Sequence, residues 1–326
     1  MTALFDDLLG QPRAVALLEA SLAQGRLAPA YLFAGADGVG RRLAALRFLE
    51  GVLAGPDGAA SARRRLQDGN HPDLLWVEPT YQDKGQLVPA SKAEELGLAR
   101  RAAPQLRLEQ IREVSRFLSR RPVEAQGCLV VLEGAEAMAE GAANALLKTL
   151  EEPGSGLVIL IASAPDQLLS TIRSRCQQIP FVRLSSDQLA AVLERCGEPA
   201  PTADPPELLE LAAGSPGALL RCRQAWMGLP EGLAERLLGL TAVADPLHAL
   251  ALARDLAEAL DGEQQLWLLG WWQLALWRRQ APVAQLQRLE RLRSQLRSYV
   301  QPRLAWEVAL LESSWGSWSP LGSSRQ

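Results

Sequence analysis

The chain has 326 residues, of which 48% are hydrophobic and 22% charged, a balance that excludes disorder and collagen-like repeats and leaves room for two or three domains with well-buried cores. Its formal net charge of -3 gives no global attraction to nucleic acid, so any such contact requires a local patch or a partner.

From residue 14 to about 183, strand-like and helix-like segments alternate. The opening "MTALFDDLLGQPRAV" carries acids early and lacks the basic, apolar, small-residue progression of a secretory signal. "AYLFAG" (30 to 35) is a short apolar run ending in glycine, and "RRLAALRFLEGVLAG" continues it with helical spacing. "DLLWVEP" (73 to 79) predicts a strand. The stretch from Gln82 to Pro104 fits neither template and is expected to be a surface insertion. "LRLEQIREVSRFLSRRP" predicts a helix stopped by Pro122, "CLVVLEGAE" (128 to 136) a buried strand, "GAANALLKTLEEP" a helix closed by Pro153, and "GLVILIASA" (156 to 164) a second buried strand. Strands alternating with helices predict an α/β domain, a parallel sheet covered by helices, over residues 1–183.

After "CQQIPFVRLSSDQ" no convincing strand follows. Ser186 with Asp187 predicts a helix start, "EPAPTADPP" (198 to 206) a Pro-rich break, and "PELLELAAGSPGALLRCRQAW" further helix. A small helical lid domain is expected over 184–226 and a helical collar domain over 227–326, ending in a Ser/Gly/Pro tail after Trp318. Trp267, Trp271, Trp272, Trp277 and Trp306 recur at spacings that put several on one helix face, suiting both a domain core and an interface. The longest apolar stretch, Leu266 to Trp277, is shorter than the roughly 20 residues a bilayer span needs, so a cytoplasmic chain is expected. Cys128, Cys176, Cys196 and Cys222 are scattered without metal-ligand spacing and read as reduced thiols.

"GADGVGRR" is the stretch with chemistry in it. A phosphate loop reads G-x-x-x-x-G-K-[ST], with backbone N–H groups and a helix N-terminus holding phosphates, lysine on the β and γ oxygens, and a hydroxyl on magnesium. Gly35 and Gly40 sit at the pattern's interval with Gly38 between them, but Arg41 and Arg42 stand where the lysine and hydroxyl belong. Arginine is bulkier than lysine, and a guanidinium has no acceptor for a metal. In ATPases of this layout the strand beside the loop ends in two acids; here Glu133 fills the first place and Gly134 the second, and glycine cannot polarise water.

Together with "NALLKTLEEP" (144 to 153) and "TIRSRCQQI", these pieces closely resemble the clamp-loader ATPases of the AAA+ superfamily, and within them the bacterial delta-prime subunits of DNA polymerase III. Further family-like strings are "GNHPDL", "IREVSRFLSRRP", "GSPGALL" and "PRLAWEVALLE"; the likeness is strongest over residues 1–183. The resemblance implies that Arg175, within Ser174-Arg175-Cys176, reaches a neighbouring subunit's ATP as an arginine finger. It implies a degenerate nucleotide site built of Gly35, Gly38, Gly40, Arg41, Arg42, Glu133, Gly134, Ser163 and Gly217, the last standing where motor subunits carry a lid arginine. The expected function is therefore a non-hydrolysing stator that joins tau- or gamma-type motor subunits and delta to load the sliding clamp onto primer-template DNA. An active tau/gamma-like ATPase and a DNA-binding module acting alone remain alternatives. No cofactor is required on this reading, residual ATP or ADP binding stays open, and no zinc is expected, because "GVLAGPDGAASARRRLQDGNHPDL" lacks the cysteine cluster of many relatives. Seven arginines against two glutamates between residues 100 and 121 make Arg112, Arg116 and Arg120 candidate DNA contacts.

Overall fold

The computed structural model describes residues 4–55, 58–83, 85–93, 95–98, 103–152, 154, 156–240, 245–298 and 300–314. Pro153 and the tail after Trp318 lie outside them. Among the described residues the chain divides into two compact units, one made of residues up to 98, 103–203 and 212–219, the other of 204–211 and 220 onward.

The first unit runs α1 (Pro12–Ala23), β1 (Ala30–Ala34), α2 (Arg41–Ala54), α3 (Ala60–Gln67), β2 (Leu74–Val77), β3 (Thr80–Asp83), β4 (Gln86–Pro89), α4 (Leu108–Leu118), β5 (Leu129–Leu132), α5 (Glu140–Glu151), β6 (Leu157–Ala162), α6 (Ser170–Arg173), β7 (Gln177–Pro180) and α7 (Ser186–Arg195). Five strands form a parallel sheet in the order β2-β5-β6-β1-β7. Strand alternation sorts their side chains into two cores. Leu32, Val130, Leu132, Val158 and Leu160 pack with Ile111 and Val114 of α4 and Leu146 of α5. Tyr31, Phe33, Val131, Ile159 and Ile179 pack with Leu18 of α1 and Ala44 and Phe48 of α2. Burial on both faces is why β1, β5 and β6 read as continuous apolar runs.

Three features differ from expectation. Part of the predicted insertion is an antiparallel hairpin, β3 with β4, registered Tyr81 to Val88, and Thr80 bridges Gln105. Gln177–Pro180 adds an edge strand beside β1; its two glutamines are exposed and only Ile179 is fully buried, so it carried no apolar run. Ser185, not Ser186, caps α7, its Oγ accepting from Gln188 N–H at 3.3 Å.

α3 is tied down by charge: Arg63 Nε meets Glu50 Oε2 at 2.8 Å, and buried Arg47 bridges Glu50 to Asp7. Among the described residues no cluster of His, Cys, Asp and Glu could hold a metal ion, and no helix is long and apolar enough to cross a membrane.

The second unit is helical. α8 (Pro206–Ala212) and α9 (Pro216–Met227) contribute residues to both units; α10 (Leu233–Gly239), α11 (Pro246–Ala259), α12 (Gly262–Arg278), α13 (Val283–Leu296) and α14 (Pro302–Ser314) belong to this one. α14 packs along α11 and α13. Trp272 and Trp306 are fully buried with centroids 6.4 Å apart, and Trp306 Nε1 donates to buried Gln265 at 2.9 Å. Trp277 is 64% exposed.

"GNHPDL" has a local explanation. Asp73 is buried and accepts backbone N–H bonds from Val123, Glu124 and Ala125 at 2.7, 2.7 and 2.8 Å, anchoring the turn before β5. Burial pushes its pKa up, but the three N–H bonds outweigh burial and hold it below the usual carboxylate range. Asp73→Asn is expected to lose about 1–3 kcal/mol in urea unfolding at pH 7. Because the folded pKa is depressed, the difference from wild type should be complete above about pH 4 and close as pH falls further.

Candidate functional site

In a doubly wound sheet, ligands sit at the carboxyl ends of strands where the winding reverses. Here that place is β1, between β6 and β7: the chain leaves β1 for the far edge at β2 and returns across β6 to β7. The loop holding Gly35, Gly38 and Gly40 follows β1, and α2 begins at Arg41 with Gly40 as its N-cap.

Residues 215 to 218 close over this loop. Ser215 Oγ donates to Asp37 O at 2.6 Å, and Gly217 N–H donates to Gly38 O at 3.0 Å. Gly38 has φ +77°, and a Cβ there would lie 2.8 Å from Gly217 Cα and 2.7 Å from Ser215 Oγ. A Cβ on Gly217 would in turn lie 2.8 Å from Gly38 Cα. Both positions require glycine because two backbones touch.

The charges are paired within the chain. The Arg41 side chain is 7% exposed and its Nη2 meets Asp37 Oδ1 at 3.0 Å. Burial lowers its pKa, while Asp37, Glu136 and Glu133 pull it back up. Arg42 Nη1 meets Glu133 Oε2 at 2.9 Å, and its guanidinium lies 4.7 Å over the Trp76 ring. Trp76 Nε1 donates to the same Glu133 oxygen at 2.9 Å. Gly134 has φ +61°, and a Cβ on it would lie 2.8 Å from Pro79 Cγ. Ser163, just after β6, gives both its N–H and its hydroxyl to Glu136 Oε1.

Gly35, Gly38, Gly40, Arg41, Arg42, Glu133, Gly134, Ser163 and Gly217 therefore gather at one edge of the sheet. Asp37, Trp76, Glu136 and Ser215 join them and were not singled out from the sequence. Asp37 sits inside the quoted loop and Glu136 three residues after Glu133, so spacing offered a hint for both. Ser215 lies inside the quoted "GSPGALL", and nothing local marked Trp76.

Arg175 stands apart from this cluster. It follows the single turn of α6; its Nη2 meets Glu151 Oε1 at 2.7 Å and its Nη1 donates to Thr171 O at 3.0 Å, with 37% of the side chain exposed. Its neighbours diverge: Arg173 turns to Asp166 at 2.6 Å, and Cys176 packs into the core, where burial pushes its thiol pKa up to about 11. Of the arginine stripe, Arg112 lines a cleft of about 600 Å³ between α4 and α5 together with Ser115, Ser119, Asn144 and Lys148. Arg116 Nε bonds Arg112 O at 3.3 Å, and Arg120 lies over the ring of Phe117 at 5.6 Å, so neither stands beside Arg112 in that cleft.

The family described as DNA polymerase III, delta subunit, matches residues 10–185, and the C-terminal domain of cyanobacterial DNA polymerase III delta prime matches residues 187–313. The chain belongs to the delta-prime family of DNA polymerase III subunits. DNA polymerase III subunit delta' of Bacillus subtilis is 36% identical over 177 residues, 52% of this chain and 47% of the relative. Its counterpart in Pseudomonas aeruginosa is 36% identical over 200 residues, 58% of this chain and 54% of the relative. The matched segments thus span about half the length of these delta-prime proteins. A crystal structure of a DNA polymerase III gamma subunit-related protein from Thermotoga maritima aligns at TM-score 0.51 and 17% identity, over 93% of this chain and 98% of that one, which shows a common fold.

The loop contact yields a measurable expectation. Gly217→Ala drives a methyl into the Gly38 backbone and is expected to destabilise the first unit by about 1–3 kcal/mol, lowering its thermal unfolding temperature by several degrees, whereas Gly141→Ala, where a Cβ meets no atom within 4 Å, should not.

Proposed function

We propose that this chain works in the clamp loader of bacterial chromosomal replication as a stator that hydrolyses no ATP of its own and lends Arg175 to the ATP site of a neighbouring motor subunit. The observation that carries the reading is an asymmetry of guanidinium groups. Arg41 and Arg42 are spent on acids of their own loop and strand, while Arg175 lies at the surface on an exposed carboxylate.

A magnesium-bound triphosphate does not fit the residues at the loop. The metal would need an oxygen ligand where Arg42 stands, and guanidinium offers none. Glu133 already accepts from Arg42 and Trp76. Asp37 adds negative charge inside the loop, Gly134 has no group to orient water, and Gly217 lies against Gly38 with no side chain to meet a γ-phosphate. Arg175 has the opposite character, since a fork of donors suits phosphate oxygens and a finger supplied in trans contributes about 10³–10⁵ in rate.

On this reading the partners are tau- or gamma-type motor subunits and delta, with the sliding clamp and primer-template DNA reached through the complex. The α4–α5 cleft, with Arg112 and Lys148, would face the phosphate backbone there. The subunit would need neither nucleotide nor zinc of its own and would act in the cytoplasm at the replisome.

The isolated chain should show no ATP turnover above background. In the reconstituted complex, Arg175→Ala should leave assembly intact and slow hydrolysis at the adjoining site by about 10³-fold or more. Turnover by the lone chain would favour an active motor, and unchanged ATPase with Arg175→Ala would remove the finger. Tight binding of primed DNA by the lone chain, with a steep salt slope, would favour an independent DNA-binding module.

A further inference from the structure

Glu151 is the last residue of α5, where a carboxylate faces the negative end of the helix dipole and is disfavoured. Its side chain is 52% exposed and meets Arg175 Nη2 at 2.7 Å, while Thr171 O takes Arg175 Nη1 at 3.0 Å. Two of the guanidinium's donor nitrogens are thus held against their own subunit, and the quoted strings "NALLKTLEEP" and Ser174-Arg175-Cys176 meet in this one ion pair.

We propose that Glu151 is a positioning residue that docks Arg175 on its own subunit and gives it up when a neighbour's triphosphate offers a stronger acceptor. The inference rests on the finger reading given above. Exposure on both sides decides how such a dock behaves. A half-exposed, salt-screened pair is weak, so it can hold a flexible side chain in one orientation without competing seriously with a polyanionic ligand that accepts from the fork at several oxygens. A buried pair could not be exchanged in this way, because separating it would leave an uncompensated charge. Arg173 does not share the dock, being held by Asp166 at 2.6 Å.

A docked finger lowers the apparent affinity of the state that needs it by the fraction of time it is free. Glu151→Gln keeps the side chain's length and removes its charge. In a complex reconstituted from full-length subunits, this variant is expected to lower KM for ATP about two- to fivefold and to raise DNA-independent ATPase by a similar factor. The kcat with saturating ATP and primed DNA should stay within about twofold, because the finger is then engaged in either case. Glu151→Asp, which keeps the charge, should fall back toward wild type. In an Arg175→Ala background, Glu151→Gln should change neither KM nor kcat further.

Thermal unfolding of the isolated Glu151→Gln chain close to wild type would exclude a folding defect as the source. A fall in kcat with Glu151→Gln would overturn the proposal by showing that the carboxylate aims the finger productively. Wild-type KM and basal rate, alongside a strong Arg175→Ala defect, would overturn the dock and leave the finger standing. No effect of Arg175→Ala itself would remove the finger, and the dock with it.

Discussion

The ion pair between Arg42 and Glu133 joins the start of α2 to the end of β5 across the edge of the sheet where a ligand would approach. Its strength is not what matters. With Arg42 more than half exposed, the pair contributes no more than about 1 kcal/mol, and the contact with Trp76 a similar amount. What matters is occupancy: one carboxylate oxygen already has two donors, and the side chain beside it can only donate. Arg41 differs in kind, because it is buried against Asp37 with Glu133 and Glu136 close enough to stabilise its charge. Removing a partner there would strand a charge in a poorly solvated place. Arg41, Arg42 and Glu133 thus pair within the chain, while the buried Arg41 Nε and Glu136 Oε2 have no hydrogen-bond partner; this internal pairing supports the proposal that the loop hydrolyses no ATP.

Much of this was legible in the residues. The runs in β1, β5 and β6 announced a parallel sheet because strands buried on both faces must be apolar throughout, and the glycine spacing after β1 located the loop. The hairpin of Thr80–Asp83 and Gln86–Pro89 escaped because each strand is four residues long and only Thr80 and Tyr81 are buried in it. The edge strand at Gln177–Pro180 escaped because an edge exposes polar residues. The site residues that eluded prediction share one property, which is that their role comes from a partner distant in sequence. Trp76 matters through Glu133, 57 positions on, and Ser215 through Asp37, 178 positions back. No local pattern encodes such pairs.

The helical unit divides the tryptophans along similar lines. Spacing alone allowed both a core and an interface; Trp272 and Trp306 fill the interior, while Trp277 is exposed at the end of α12. Gln265 explains why a large aromatic with a polar N–H is tolerated so deep, since it satisfies Trp306 and anchors itself on Leu260 O at 2.8 Å.

Gly134 carries the longest consequence. Its backbone occupies a left-handed conformation and a Cβ on it would lie 2.8 Å from Pro79 Cγ, so an aspartate or glutamate introduced there meets strain and a steric block together. An acid at position 134 therefore calls for coordinated changes at both Gly134 and Pro79, and the first alone costs folding stability. The turn after β5 is thus held by shape as well as by charge, and the position beside Glu133 keeps its backbone path by going without a side chain.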